Sequence, residues 1–141
     1  MKKMILSFLM MAMSVTLFAQ YASIDSVTEQ HNIRNGYYNG MVVNVKFDTG
    51  EIQDERVDVY LKFYYGDNTT PLHDRNGYNL STKNSVIPRY EYSTCSVSFY
   101  VPYVNLNMAP GFYNLTYDVV VKNRNGEVLD TSYNHGFSLS I

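Results

Sequence analysis

The chain alternates apolar and polar side chains with a period of two in four separate segments. The clearest is residues 57–65, whose valine, leucine and phenylalanine side chains share one side of the segment. Residues 41–48, 95–103 and 113–122 repeat the pattern. Successive side chains of an extended strand point to opposite faces, so each segment is predicted to be a strand with one buried face. Strands with one wet face are typical of antiparallel sheets that stack on each other.

Three weaker segments extend this pattern. Residues 127–141 alternate in two phases that meet near Gly136, which predicts a strand with a bulge at that point. Residues 24–32 are polar and contain Thr, Ser and Val, as suits an edge strand. Residues 78–89 are predicted to hold one or two short strands. The described pattern therefore amounts to seven or eight strands.

Asn-Gly pairs support this count, because both residues tolerate positive φ and so favour tight turns. They occur at Asn35-Gly36, Asn39-Gly40, Asn76-Gly77 and Asn125-Gly126. The pair Asn125-Gly126 separates two predicted strands and indicates a hairpin. No window of ten residues after the first twenty has an apolar period of 3.6, so no substantial helix is expected. We predict an all-β, antiparallel β-sandwich of the immunoglobulin-like or C2-like kind, with a closed barrel as the less favoured alternative.

The first residues resemble a secretory signal peptide. Lys2 and Lys3 precede an apolar run over residues 4–18, and Ala19 follows it. This order of positive, apolar and small residues predicts a signal peptide at residues 1–19 and a single β-sandwich domain at residues 20–141. Cleavage after Ala22 is the alternative. Since no Cys follows the run, the product is expected to be exported to the periplasm or secreted, without a lipid anchor or membrane insertion.

The charge of the exported chain restricts its partners. Without Lys2 and Lys3, nine basic residues remain against thirteen acidic ones, a formal charge of −4. Nucleic acids and anionic membranes are bound mainly by basic surfaces, so neither is expected as a partner. Cys95 is the only cysteine, so packing rather than a disulfide must hold the domain together. We expect a monomer.

Catalytic and metal-binding residues are sparse. Cys95 could form a nucleophilic site with His31, His73 or His135, but it falls in the inward set of a strand, where a thiol acts as a small apolar side chain. The histidines form no pair at metal-ligand spacing. Residues 66–77 contain two aspartates, which is thin for calcium. The sequence predicts no enzyme, no cofactor and no metal site.

Tyrosine is the compositional anomaly, with fourteen residues and no tryptophan. Alternation places Tyr60, Tyr64 and Tyr100 on outward faces, and Tyr90 and Tyr92 precede the third clear strand. Exposed tyrosines supply contact area at small entropic cost, so the first three are the candidate binding residues. The alternative is that these rings cover the sheet.

Three stretches resemble a small exported β-sandwich domain of unknown function that recurs in Bacteroides-type bacteria. They are a Gly-Met strand at residues 40–47, a Pro-Leu-His-Asp-Arg-Asn-Gly turn at residues 71–77, and an apolar Pro-Tyr segment at residues 102–106 before a Gly-led strand. The resemblance covers about 100 residues and implies a C2-like or immunoglobulin-like fold. It assigns no catalytic or ligand residue to this chain.

The leading functional hypothesis is an exported, non-catalytic binding module whose ligand is a protein or a glycan. An alternative is an inhibitor of a secreted protease that acts through the loop at residues 66–77. A third possibility is an envelope component that adds an edge strand to a partner sheet.

Overall fold

Two antiparallel sheets form the domain in a computed structural model that describes residues 19–141. The seven strands are β1 Tyr21–Asn35, β2 Tyr38–Gly50, β3 Val57–Tyr65, β4 Ser81–Val86, β5 Tyr92–Pro102, β6 Phe112–Asn123 and β7 Val128–Ser140. One 3-10 turn, Tyr103–Leu106, is the single helical segment in that range. The predicted all-β antiparallel sandwich is confirmed. The predicted signal peptide lies outside the described residues, apart from Ala19.

Strand order distinguishes the two sheets. The first, here called sheet A, has the order β1-β2-β5, and the second, sheet B, has the order β4-β3-β6-β7. In an immunoglobulin constant domain the fourth strand joins the sheet of the first, second and fifth strands. Here the fourth strand pairs with β3 instead. The order is therefore immunoglobulin-like, with the fourth strand moved to the other sheet.

The core lies between the sheets and is built from the inward set of each alternating segment. Leu61 and Phe63 of β3 face Val43 and Phe47 of β2 in one buried cluster, and all four are at most 1% exposed. The other large side chains that are fully buried are Tyr117, Met41, Ile52, Leu72, Leu106, Leu115, Val45 and Val57. The alternation thus identified the core-facing side of every strong strand. Its expectation of one wet face is wrong for β6, where Thr116, Asp118 and Val120 of the outward set are buried as well.

Two of the Asn-Gly pairs form the expected hairpin turns. Gly36 has a φ of +63° in the β1–β2 turn, and Gly126 has a φ of +82° between β6 and β7. The pair Asn39-Gly40 does not turn, because Gly40 lies within β2. A Cβ on Gly40 would stand 2.3 Å from the carbonyl oxygen of Val101. This glycine therefore permits the close approach of β2 and β5 and makes no turn.

The weaker segments also form strands. The predicted edge strand became β1, which pairs with β2 along its length and has register shifts at Ile24/Ser26 and Gln30/Ile33. The irregularity predicted near Gly136 is a register shift between Tyr117 and Val119 of β6, opposite residues 132–135 of β7. Residues 78–89 hold one strand, β4. Bulges of this kind bend a strand and re-aim its side chains.

Candidate functional site

The three tyrosines predicted as binding residues do not form one surface. Tyr60 and Tyr64 lie on β3 and face outward from sheet B. Tyr100 lies on β5 and faces outward from sheet A, on the opposite side of the sandwich. The structure therefore brings Tyr60 and Tyr64 together and separates both from Tyr100.

Tyr60 and Tyr64 lie next to β6, the strand that pairs with β3 in sheet B. Tyr60 is paired with Val120 and Tyr64 with Thr116, and both β6 residues are buried although they face outward. The Nζ atom of Lys122 stands 4.9 Å from the centre of the Tyr60 ring. Burial raises the pKa of Tyr64, with a smaller contribution from nearby acidic and phenolic groups. Both rings therefore lie beside outward-facing β6 residues that are buried.

Tyr100 ties the edge of sheet A to the β1–β2 hairpin. Its hydroxyl lies 3.0 Å from the carbonyl oxygen of Ile33 and 3.0 Å from that of Tyr38. The ring is half-buried. This arrangement holds the hairpin against β5 and fixes the orientation of the Tyr100 ring.

Cys95 is buried, as its inward phase predicted. It is 5% exposed on β5, opposite Phe47 of β2. Burial raises the pKa of the Cys95 thiol, which keeps it protonated at neutral pH and makes it a poor nucleophile. No hydrogen bond joins it to a histidine in residues 19–141. His135 bonds instead through Nε2 to the Ser132 hydroxyl at 2.7 Å and stacks on Tyr117.

The loop at residues 66–77 is rigidified by its own aspartates. Asp67 accepts backbone hydrogen bonds from Thr69 and Thr70 at 2.9 Å each, and hydrogen bonding to Thr70 lowers its pKa well below the usual range. Asp74 accepts from the backbone amides of Asn76 and Tyr78. Each carboxylate therefore serves as a turn cap. Within the described part of the chain, no three His, Cys, Asp or Glu side chains gather into a metal site.

A cleft opens at the end of the sandwich that carries the β1–β2 turn. We call it the hairpin cleft, and its volume is about 740 Å³. Its lining residues are Tyr37, Tyr38, Asn39, Arg75, Tyr103, Val104, Asn107, Met108, Ala109, Ser140 and Ile141. They come from the hairpin turn, the loop before β4, the 3-10 turn with the loop that follows it, and the end of β7. Clefts of this size, mostly apolar with a few polar groups, are typical of binding sites.

The hairpin cleft exposes large apolar groups. Tyr37 is fully exposed at the hairpin tip and Tyr38 is 55% exposed, while Val104 and Ile141 are about half exposed. Arg75 is the single charged residue among those that line the cleft. Exposed apolar side chains gathered at one place, rather than scattered singly, mark interaction sites. The cleft thus combines apolar contact area with one positive charge in an acidic chain.

A partly buried polar network fixes one wall of the hairpin cleft. The Tyr117 hydroxyl donates to a Glu29 carboxylate oxygen at 2.5 Å, and the other oxygen of Glu29 lies 3.2 Å from Nε2 of His31. His31 Nδ1 lies 2.9 Å from the Tyr103 hydroxyl, which also accepts the backbone N–H of Asn32. Burial, followed by the hydrogen bond to Glu29, raises the pKa of Tyr117 far above its usual value. These hydrogen bonds therefore fix the position of the Tyr103 side chain in the wall of the cleft.

Backbone and side-chain hydrogen bonds fix the far wall. Gly111 and Ile141 exchange two N–H to carbonyl bonds, of 3.1 and 2.9 Å. The Tyr113 hydroxyl donates to the carbonyl of Ala109 at 2.8 Å, and the Asn107 side chain donates to a neighbouring loop at 3.4 Å. These bonds hold the loop after β5 against β7. Because the walls are already ordered, a ligand would not have to order them on binding.

Sequence reasoning missed the two hairpin tyrosines. The signal that could have found them is the dipeptide Tyr37-Tyr38 directly after Asn35-Gly36. Tyr37 lies in the tight turn, and Tyr38 begins β2 before the residues that pair with β5, so neither ring is covered by a neighbouring strand. Alternation alone could not reveal this, because it places side chains only within strands and does not show where strand pairing begins.

Comparison with known proteins identifies no family. No family model and no curated protein matches the chain. One similar structure is a β-glucuronidase of Bacteroides uniformis, solved with a covalently bound cyclophellitol-6-carboxylate aziridine. It is 15% identical to this chain, with a TM-score of 0.38. The match covers 85% of this chain but only 13% of the enzyme. The structural genomics target SoR45 is 8% identical over 86% of both chains, with a TM-score of 0.29. A candidate late embryogenesis abundant protein is 10% identical over 95% of this chain and 78% of its own, with a TM-score of 0.37. Likenesses this distant assign no function.

Among residues 19–141, no helix has the length and apolar character needed to cross a membrane.

Proposed function

We propose that this protein is an exported, non-catalytic binding module that takes a segment of a partner protein into the hairpin cleft. The observation that carries the proposal is the exposure of Tyr37 and Tyr38 beside Arg75 in one cleft with ordered walls. Tyrosine and arginine are the residue types that dominate the binding energy of protein interfaces. The signal peptide predicted at residues 1–19 supports export.

The composition of the hairpin cleft favours a protein segment over other ligands. Protein interfaces have an apolar centre and a polar rim. In the cleft, Val104, Met108 and Ile141 supply apolar area, and Asn39 and Asn107 supply amide groups. Arg75 would pair with a carboxylate, since its guanidinium forms two parallel hydrogen bonds to such a group. The expected ligand is therefore a short segment with apolar side chains and at least one acidic residue.

Selection of displayed peptides on the purified domain, residues 20–141, tests this proposal. Enriched peptides should carry an acidic residue beside apolar ones. Their affinity, measured by fluorescence anisotropy, should fall about tenfold or more in the double variant Tyr37→Ser and Tyr38→Ser, because each removed ring contributes on the order of 1 kcal/mol. Arg75→Gln should weaken acidic peptides and leave their amide analogues unchanged.

The matched control is Tyr78→Ser, which removes a ring that is 72% exposed and lies outside the hairpin cleft. This variant should bind as the original domain does. If no peptide is enriched, or if the hairpin double variant binds as tightly as the control, the cleft is not a site for protein segments.

The rigid loop at residues 66–77 favours protease inhibition as a second candidate function. Caps by Asp67 and Asp74 hold this loop in one conformation, and pre-organisation of a binding loop favours tight inhibition. Titration of trypsin, subtilisin and papain with the domain tests it. Inhibition that is lost in Asp67→Ala, together with unchanged peptide binding at the cleft, would favour this function; full protease activity at excess domain would exclude it for these enzymes.

A further inference from the structure

The outer face of sheet A carries a regular array of small polar side chains. Three successive cross-strand rows in β1, β2 and β5 face outward here. Their members are Ser23, Asp48 and Thr94, then Ser26, Lys46 and Ser96, then Thr28, Asn44 and Ser98. Six of these nine residues are Ser or Thr, and one acid and one base leave the array electrically neutral. The outward side chains of β3 in sheet B are longer by contrast, since they include Tyr60, Lys62 and Tyr64.

Hydrogen bonds between strands align parts of this array. The Thr94 hydroxyl donates to Asp48 at 2.8 Å, and the Ser98 hydroxyl donates to the side-chain oxygen of Asn44. Ser and Thr lose little rotamer freedom when a ligand fixes them, unlike Lys, Glu or Gln. The array therefore presents hydroxyl and amide groups at small entropic cost.

Aromatic rings lie at both ends of the array. At one end, Tyr21, Gly50 and Tyr92 form a single cross-strand row, and the two rings are 47% and 61% exposed. A Cβ on Gly50 would stand 2.0 Å from the Tyr21 ring, so this ring lies across the glycine. At the other end lies Tyr100, whose hydroxyl is fixed by two backbone carbonyls. Tyr92 and Tyr100 are eight residues apart on β5, which corresponds to about 26 Å.

We propose that the outer face of sheet A binds a stretch of neutral polysaccharide, between the Tyr21 and Tyr92 rings and Tyr100. A saccharide chain offers hydroxyl groups along its edges, which match the Ser, Thr and Asn side chains of the middle rows. Its sugar rings offer flat faces of C–H groups, which match the faces of the tyrosines. This site is separate from the hairpin cleft and does not depend on it.

The arrangement distinguishes a glycan from the other ligand classes. A protein interface has its apolar groups in the centre and its polar groups at the rim, and on sheet A this order is inverted. A nucleic acid needs several basic side chains for its phosphates, whereas Lys46 is the one base in the three rows. The neutrality of these rows also argues against an acidic saccharide.

Affinity gel electrophoresis tests the proposal with four probes: soluble β-glucan, galactomannan, dextran and, as the acidic polymer, polygalacturonate. At least one neutral polymer should retard the domain, residues 20–141, and polygalacturonate should not. The double variant Tyr21→Ser and Tyr92→Ser should bind that neutral polymer about tenfold more weakly or worse, since two stacking contacts are lost. Retardation by polygalacturonate alone, or by none of the four, would overturn the proposal.

Gly50→Ala tests geometry without removing a ring. The three atoms nearest to the added methyl group all belong to the end of the Tyr21 side chain, so we expect this ring to shift while the strands stay paired. We expect weaker retardation by the neutral polymer at an unchanged melting temperature. Tyr78→Ser, at an exposed ring that lies outside both sheet A and the hairpin cleft, is the matched control and should bind the polymer normally. Equal retardation of the control and of both sheet A variants would show that the tyrosine row makes no contact with saccharide.

Discussion

Alkaline pH should destabilise this domain through one buried phenol. Tyr117 is 1% exposed, and its pKa is raised above the ordinary 10.0 by burial and by the carboxylate of Glu29. In the unfolded chain the same phenol ionises near pH 10. Above that pH the folded state keeps a proton that the unfolded state has lost, so the free energy of unfolding decreases as pH rises. Below pH 10 both states are protonated and the contribution of Tyr117 to stability is fully present.

The size of this effect follows from the linkage relation. One proton held only by the folded state changes the unfolding free energy by about 1.4 kcal/mol per pH unit. Between pH 8 and pH 11 the original domain should therefore lose about 1.4 kcal/mol more than the variant Tyr117→Phe, which has no proton to retain. At pH 8 the same variant should be less stable by about 1 to 2 kcal/mol, because Glu29 loses the donor of a partly buried hydrogen bond.

Urea unfolding followed by circular dichroism at pH 8, 10 and 11 measures both quantities. The control is Tyr78→Phe, in which the ring that loses its hydroxyl is 72% exposed. This variant should follow the pH dependence of the original domain. The contrary result is that the free energies of unfolding of the original domain and of Tyr117→Phe fall by the same amount from pH 8 to pH 11. In that case Tyr117 is not the group that retains a proton in the folded state, and its burial does not govern the alkaline stability of the domain.

Three further perturbations test the packing of the sandwich. Gly40→Ala should destabilise the domain by on the order of 2 kcal/mol in urea unfolding, because its Cβ would meet the rigid backbone of Val101. Leu61→Ala, at 0% exposure between the sheets, should cost about 2 to 5 kcal/mol by the same measurement; a loss below 1 kcal/mol would contradict its place in the core. Cys95, with its buried thiol and raised pKa, should react with a thiol reagent slowly in the native domain and rapidly in urea; rapid native reaction would mean that the sulfur is open to solvent.

Periodicity predicted the strands well because it reports burial directly. The four strong segments became β2, β3, β5 and β6. The edge strand β1 was predicted over a shorter range, since its two register shifts interrupt the alternation. Side-chain phase says which residues face the core but carries no information on which sheet a strand joins. For this reason Tyr60 and Tyr100 were both correctly placed outward and yet lie on opposite sheets.

The hairpin cleft could not be predicted for a similar reason. Its walls come from three connections and the end of β7, which are distant in sequence, and only the strand order brings them to one end of the sandwich. The sequence indicates a turn in the loop that contains Arg75, and the aspartates of this loop accept hydrogen bonds from nearby backbone amides. Nothing in the sequence placed that loop beside the hairpin. The rows on sheet A depend likewise on the register between β1, β2 and β5.

The edges of sheet A are poorly suited to strand addition. An edge strand recruits another strand when it is flat and its backbone groups are free. On β1, the two register shifts bend the strand, and the backbone N–H of Ile24 already donates to Asp130 of sheet B at 2.7 Å. On β5, the carbonyl of Ser98 accepts from the Asn84 side chain of sheet B, also at 2.7 Å. Side chains of sheet B thus engage both edges of sheet A, which leaves its outer face and the hairpin cleft as the better surfaces for binding.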